Sequence, residues 1–139
     1  MDKPSTCTYC TLAEARIFDE TTLSIAFKDV FPVSPGHTLI IPRRHVESYF
    51  DLTNQEREDM LILMNRVKDK LKEELNPNGF NIGINLGRVA GAGIAGHLHI
   101  HIVPRWFGDT NFMPVIANSG VVPQALLELG NQLRAALAR

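Results

Sequence analysis

The chain has 139 residues, of which 45% are hydrophobic and 21% charged, the balance of a globular domain and not of a disordered segment. Lys plus Arg (14) against Asp plus Glu (15) leaves a net charge of −1, which excludes the broad basic footprint of a protein gripping long nucleic acid but not a small phosphate ligand. No apolar run approaches the roughly 20 residues of a membrane helix, and the length favours a single domain over residues 1–139.

The chain opens on polar residues, Met1 to Thr6, without the apolar core of a signal peptide. Its only cysteines, Cys7 and Cys10, are too few for a secreted disulfide framework, so a cytoplasmic location is expected. Leu23-Ser24-Ile25-Ala26-Phe27 reads as a short strand, Pro32 and Pro35-Gly36 as a turn, and His37-Thr38-Leu39-Ile40-Ile41 as a second strand stopped by Pro42. Thr53 and Glu56 form a capping box opening a helix that runs to about Leu75, with Met60, Met64, Val67, Leu71 and Leu75 as its core-facing stripe. Asn76-Pro77-Asn78-Gly79 ends it. Residues 80–85 alternate as a third strand, and a glycine-rich loop from Gly87 to Gly96 leads into an alternating run from His97 to Val103. A last helix is expected over about 123–138, with Leu126, Leu129, Leu133 and Leu137 on one face. Strands outnumber crossover helices, so the fold class is α+β with a mostly antiparallel sheet.

Three of the five histidines fall within five residues, at His97, His99 and His101. On a strand they share one face, while Leu98, Ile100 and Ile102 take the other. Neighbouring imidazoles lie about 6–7 Å apart and the outer pair about 13 Å apart, so one metal ion does not hold all three without distortion. Two options remain: a zinc held by two of them, or a split row in which one binds metal and a neighbour is nucleophile or acid–base catalyst. Cys7-x-x-Cys10 favours the split, because its zinc spacing needs two further ligands, which His45 and one end of the row can supply. A redox role for the pair would require a preceding strand, which is absent here. In the loop, Gly91 and Gly93 let backbone amides form an anion-binding nest, to which Arg88 and Arg105 could add charge. It lacks the ending of a Walker loop and leads into a strand, so neither P-loop nor Rossmann binding applies.

His97-Leu98-His99-Ile100-His101-Ile102-Val103 resembles the signature of the histidine triad (HIT) family of nucleotide hydrolases and transferases. The segment Ser34 to His45 resembles the family's second strand, Phe27-Lys28-Asp29 the stretch before it, and the CxxC the zinc-bearing bacterial members. The run from Gly91 through Phe112 is most similar to the branch that includes diadenosine tetraphosphate phosphorylases. The resemblance implies a HIT-like fold, with a five-stranded sheet, one long helix and a C-terminal helix. It implies that His99 attacks an α-phosphorus of a dinucleoside polyphosphate or nucleoside phosphoramidate, and that His101 bonds the phosphate or leaving group. Asp29 would hold the ribose hydroxyls, Asn85 would lie beside the phosphates, and a structural Zn2+ would sit on Cys7, Cys10, His45 and His97. A homodimer joined sheet edge to sheet edge is implied as well. Many members carry Gln/His-Ser/Thr shortly before the triad; here that stretch is Gly93-Ile94-Ala95-Gly96, without a side-chain donor. His37 is read as an ordinary strand residue, with orientation of His99 as the alternative. A nucleotide-binding module with little turnover and a zinc-dependent hydrolase are the competing functions.

Overall fold

In the computed structural model, residues 6–94, 96–109 and the single position 135 are described. The helix expected over 123–138 lies, apart from that position, outside the described residues. The sheet is built from β1 (Ile17–Glu20), β2 (Ser24–Lys28), β3 (Thr38–Pro42), β4 (Gly79–Ile84) and β5 (Ile100–Arg105), in the spatial order β1-β2-β3-β5-β4 with every neighbouring pair antiparallel. Since β3 and β4 both run antiparallel to β5, they are parallel to each other. The helix α1 (Asn54–Leu75) makes the crossover between them, and β5 enters the gap last. The four strand segments legible in the sequence correspond to β2 through β5; β1 is the fifth.

The helix starts where the capping box places it. Thr53 Oγ1 accepts from the Glu56 N–H at 3.0 Å, and Glu56 Oε1 accepts from the Thr53 N–H at 2.9 Å. The same carboxylate takes a bidentate pair from Arg44 at 2.7 and 3.1 Å, which ties the helix start to the segment carrying His45. At the other end Asn76 adopts the left-handed conformation, φ 46°, and closes the last turn on the Lys72 carbonyl. Met60, Leu63, Val67 and Leu71 are buried, and Met64 and Leu75 pack at the margin of the same core. Leu63 extends the expected stripe.

Alternation divides the sheet into two faces. Ala26, Ile40, Leu98, Ile100 and Ile102 join α1 in the main core. On the opposite face Phe27, Leu39 and Ile41 form a smaller cluster, covered by Tyr9, Leu12 and Ile25. The triad run differs from expectation in one respect: β5 begins at Ile100, and His97 and His99 precede it. The register Ile40↔Ile100 continues to set Pro42 opposite Leu98. Proline has no N–H to donate, so the ladder stops there. The Pro42 carbonyl accepts from His97 Nε2 at 2.8 Å instead, and the Leu98 amide bonds Val46 at 2.7 Å.

Candidate active site and metal cluster

Four sequence-distant side chains meet beside the end of β3. Cys7 and Cys10 come from a turn held by the Thr11 hydroxyl on the Cys7 carbonyl, 3.0 Å. His45 follows β3, and His97 precedes β5. One potential ligand atom from each lies within 4.8 Å of all the others. Cys10 Sγ is 3.2 Å from His45 Nδ1 and 3.4 Å from His97 Nδ1, while Cys7 Sγ is 3.5 Å from His97 Nδ1. Tetrahedral zinc, with Zn–S about 2.3 Å and Zn–N about 2.0–2.1 Å, would set such S···N edges near ~3.6 Å. The tautomer suits a cation too: the Pro42 carbonyl can only accept, so His97 Nε2 carries the proton and Nδ1 turns its lone pair to the thiols. The donor set therefore fits a zinc ion.

His99 lies on the face opposite α1, 5% exposed, and its Nδ1 is 3.0 Å from the His97 carbonyl. A carbonyl cannot donate, so Nδ1 holds the proton and Nε2 keeps its lone pair. Burial pushes the His99 imidazole below its usual pKa, against the smaller opposing effects of that hydrogen bond and of Asp29. Its neutral form, the nucleophilic one, thus prevails at neutral pH.

His101 reaches the same surface through a chain of directed bonds. The Val33 amide donates to His37 Nδ1 at 3.3 Å, leaving the proton of neutral His37 on Nε2, which stands 2.9 Å from His101 Nδ1. His101 accepts there and so carries its own proton on Nε2. Burial, with His99 and His37 alongside, depresses the His101 pKa to about 3. Burial also lowers His37 and outweighs the Asp29 carboxylate 3.6 Å away. Asp29, His37 and His101 bring ligand atoms within 4.8 Å of one another, but the proton on His37 Nε2 fills that space with a hydrogen bond.

A cleft of about 350 Å³ brings together His99, His101, Asp29, Gly91 and Gly93, with Tyr9, Arg16 and Phe31 among its other walls. Asn85 stands one residue beyond β4; the register Ile84↔Ile100 continues to place it across from His99, yet it is not among the described residues lining the cleft. The loop departs from a simple nest. The Ala90, Gly91 and Ala92 amides bond the carbonyls of Gly87, Arg88 and Gly87, so that turn consumes them. Gly91 is needed for its φ of 100°, whereas a Cβ at Gly93 would meet nothing within 4 Å. Of the expected cations, Arg88 is exposed, and Arg105 is engaged with Asp109 and Asn81 beyond the cleft. The cation that does line it, Arg16, lies in a short turn with no motif around it. His37 contacts His101 and not His99, because the register pairs Leu39 with His101 and brings His37 beside it on the same face.

Known proteins resemble this chain in sequence and in fold. The HIT domain profile matches residues 11–108. A Mycobacterium tuberculosis protein named AP-4-A phosphorylase is 39% identical over 117 residues, which are 84% of this chain and 60% of that protein. A Dictyostelium discoideum bis(5'-adenosyl)-triphosphatase is 37% identical over 94 residues, 68% of this chain and 62% of that one. The chain thus spans about three-fifths of the length of these relatives. Among solved structures, a zinc-bound histidine triad family protein from Mycobacterium smegmatis superposes with a TM-score of 0.69 at 30% identity, covering 94% of this chain and 97% of that one.

Proposed function

The chain belongs to the HIT domain family, and from that premise we propose that it is a nucleotide hydrolase or phosphorylase acting on a dinucleoside polyphosphate, diadenosine tetraphosphate-like, or on a nucleoside phosphoramidate, through a nucleotidyl-His99 intermediate. The names of the relatives support the substrate class. One observation carries the chemistry: His99 has its Nδ1 proton committed to the His97 carbonyl while its side chain lines the cleft.

Nε2 of His99 attacks the α-phosphorus; the N–P bond forms as the bridging P–O bond breaks, the phosphate departs as its anion, and the Nε2–H of neutral His101 donates a hydrogen bond to the phosphate or leaving oxygen. The imidazolium charge developing on His99 is stabilised by the Nδ1–H bond to His97. Water or phosphate then attacks phosphorus, the N–P electron pair returns to His99 Nε2, and the proton of an attacking water passes to solvent. Asp29 accepts from the ribose hydroxyls, and Gly91 and Gly93, which line the cleft, border the phosphates. Zn2+ held by Cys7, Cys10, His45 and His97 supplies a fixed cross-link, structural because four protein ligands leave no position for water. Two cysteines that form no disulfide suit a reducing cytoplasm. The assembly in this reading is a homodimer joined through the edge strand β4.

The test is His99→Ala assayed on adenine and guanine dinucleotides with and without phosphate. Turnover should vanish while zinc content and AMP binding persist. Surviving turnover would move the nucleophile elsewhere, loss of zinc would put the metal on the histidine row, and a wild-type chain that binds AMP without turnover would be a binding module.

A further inference from the structure

The turn that carries the two cysteines also carries a residue that the mechanism above leaves unused. Tyr9, between Cys7 and Cys10, is packed among three rings: Phe27 at 5.2 Å, His97 at 5.9 Å and interplanar angle 78°, and His99 at 5.3 Å and 75°. It therefore bridges a cluster histidine and the nucleophilic one, edge to face with each. One side of the cleft, Thr8, Tyr9, Leu12 and Arg16, comes entirely from this segment. Polar links from the segment to the strands run through Cys7 and Cys10 onto His45 and His97 and, at its far end, from Arg16 to the Lys28 carbonyl at 2.8 Å, while the Thr11 bonds close within the turn itself. Apolar links run through Tyr9 and Leu12 onto Phe27, Leu39 and Ile41. The segment is thus pinned at the cluster on one side and at Arg16 on the other, and between them leans on the sheet through Tyr9 and Leu12.

We propose that Tyr9 is a positioning residue that couples the Cys/His cluster to the cleft, so that metal on the cluster holds its ring against His99 and sets the wall that a nucleotide meets. The proposal rests on the reading of a zinc cluster beside a nucleotide cleft and adds the route between them. The phenol is not required for this; burial raises its pKa well above the usual tyrosine value and keeps it neutral. The aromatic ring is required, since its edge and face make the contacts. A second route is available in the same geometry, from His97 along its own backbone to the carbonyl that holds His99. The two routes differ in whether Tyr9 is needed.

The experiment measures AMP affinity by calorimetry for zinc-loaded and chelator-stripped wild type, Tyr9→Phe and Tyr9→Ala, with zinc content determined for each. Zinc affinity is measured in parallel with and without AMP, because coupling between two sites is reciprocal. Stripping should weaken AMP binding by about tenfold in wild type and in Tyr9→Phe. Loaded Tyr9→Ala should retain its zinc yet bind AMP as weakly as stripped wild type, and stripping should weaken it no further. An equal loss on stripping in Tyr9→Ala and wild type would assign the coupling to the His97 backbone and overturn the proposal. So would Tyr9→Ala that matches wild type when loaded. Should stripped protein unfold, the loaded series decides alone: Tyr9→Phe near wild type and Tyr9→Ala about tenfold weaker supports the role, and equal affinities overturn it. A wild-type chain that takes up no zinc overturns the proposal together with the metal assignment, an outcome distinct from failure of Tyr9 alone.

Discussion

Two imidazoles in the cleft, His99 and His101, owe their neutrality to burial and their tautomers to single hydrogen bonds. His101 is neutral because it is buried between His99 and His37, and it carries its proton on Nε2 because His37 donates to Nδ1. Replacing His37 by Ala removes that donor, and kcat should fall by about tenfold to a hundredfold with a smaller change in KM. His37→Gln, which keeps an N–H, should recover part of the loss. Steady-state kinetics on the two variants checks the order. Stability follows the same burial. The folded chain holds His101 neutral to about pH 3, whereas the unfolded chain protonates it near 6.5. Between those limits the unfolded state binds more protons, so this group makes stability decline as pH falls, by at most about 1.4 kcal/mol per unit. Thermal melts at stepped pH should show a midpoint steady above pH 6.5 and falling below it. Turnover should have the same sign, since protonating the depressed His99 or His37 removes a lone pair or a tautomer.

At the scale of elements, local signals were readable and pairings were not. The capping box at Thr53 and Glu56 needs only three residues of separation, and α1 starts where it says. Alternation around the triad assigned the histidines to one face and Leu98, Ile100 and Ile102 to the other. Where β5 begins depends on Pro42, more than fifty residues earlier, and that register is invisible to a local pattern. The same holds for His37 beside His101 and for Arg16 in the cleft. The edge strand β1 was hidden by its length of four residues and its half-exposed surface. Two substitutions test the element ends. Thr53→Ala should cost about 1 kcal/mol by removing the cap, read as a lower melting midpoint. Gly36→Ala should cost about 1–2 kcal/mol: φ is 84°, and a Cβ there would come 2.5 Å from Leu75 and 3.1 Å from Pro104.

For the whole molecule, β4 is an edge whose Ile82 is 45% exposed, and it shares a groove of about 310 Å³ with Leu61 of α1, 54% exposed. Such an edge invites pairing with another chain. Ile82→Lys should convert the proposed dimer to monomer in sedimentation; an unchanged mass would place the interface elsewhere. Cys7→Ser should lose zinc by metal analysis, and a full complement retained would dissolve the four-ligand cluster. Among the described strands β5 is last in the chain yet central in the sheet, flanked by β3 and β4. The β3–β5 ladder that steadies the imidazole face closes a loop running from Ile40 to Ile100, and closures of that kind come late and slowly in folding. A nascent chain that has emerged only through α1 and β4 can pair β1, β2 and β3 but holds none of the triad, and β4 waits for β5 as its partner. Competence to react thus arrives in one step, when the central strand is captured.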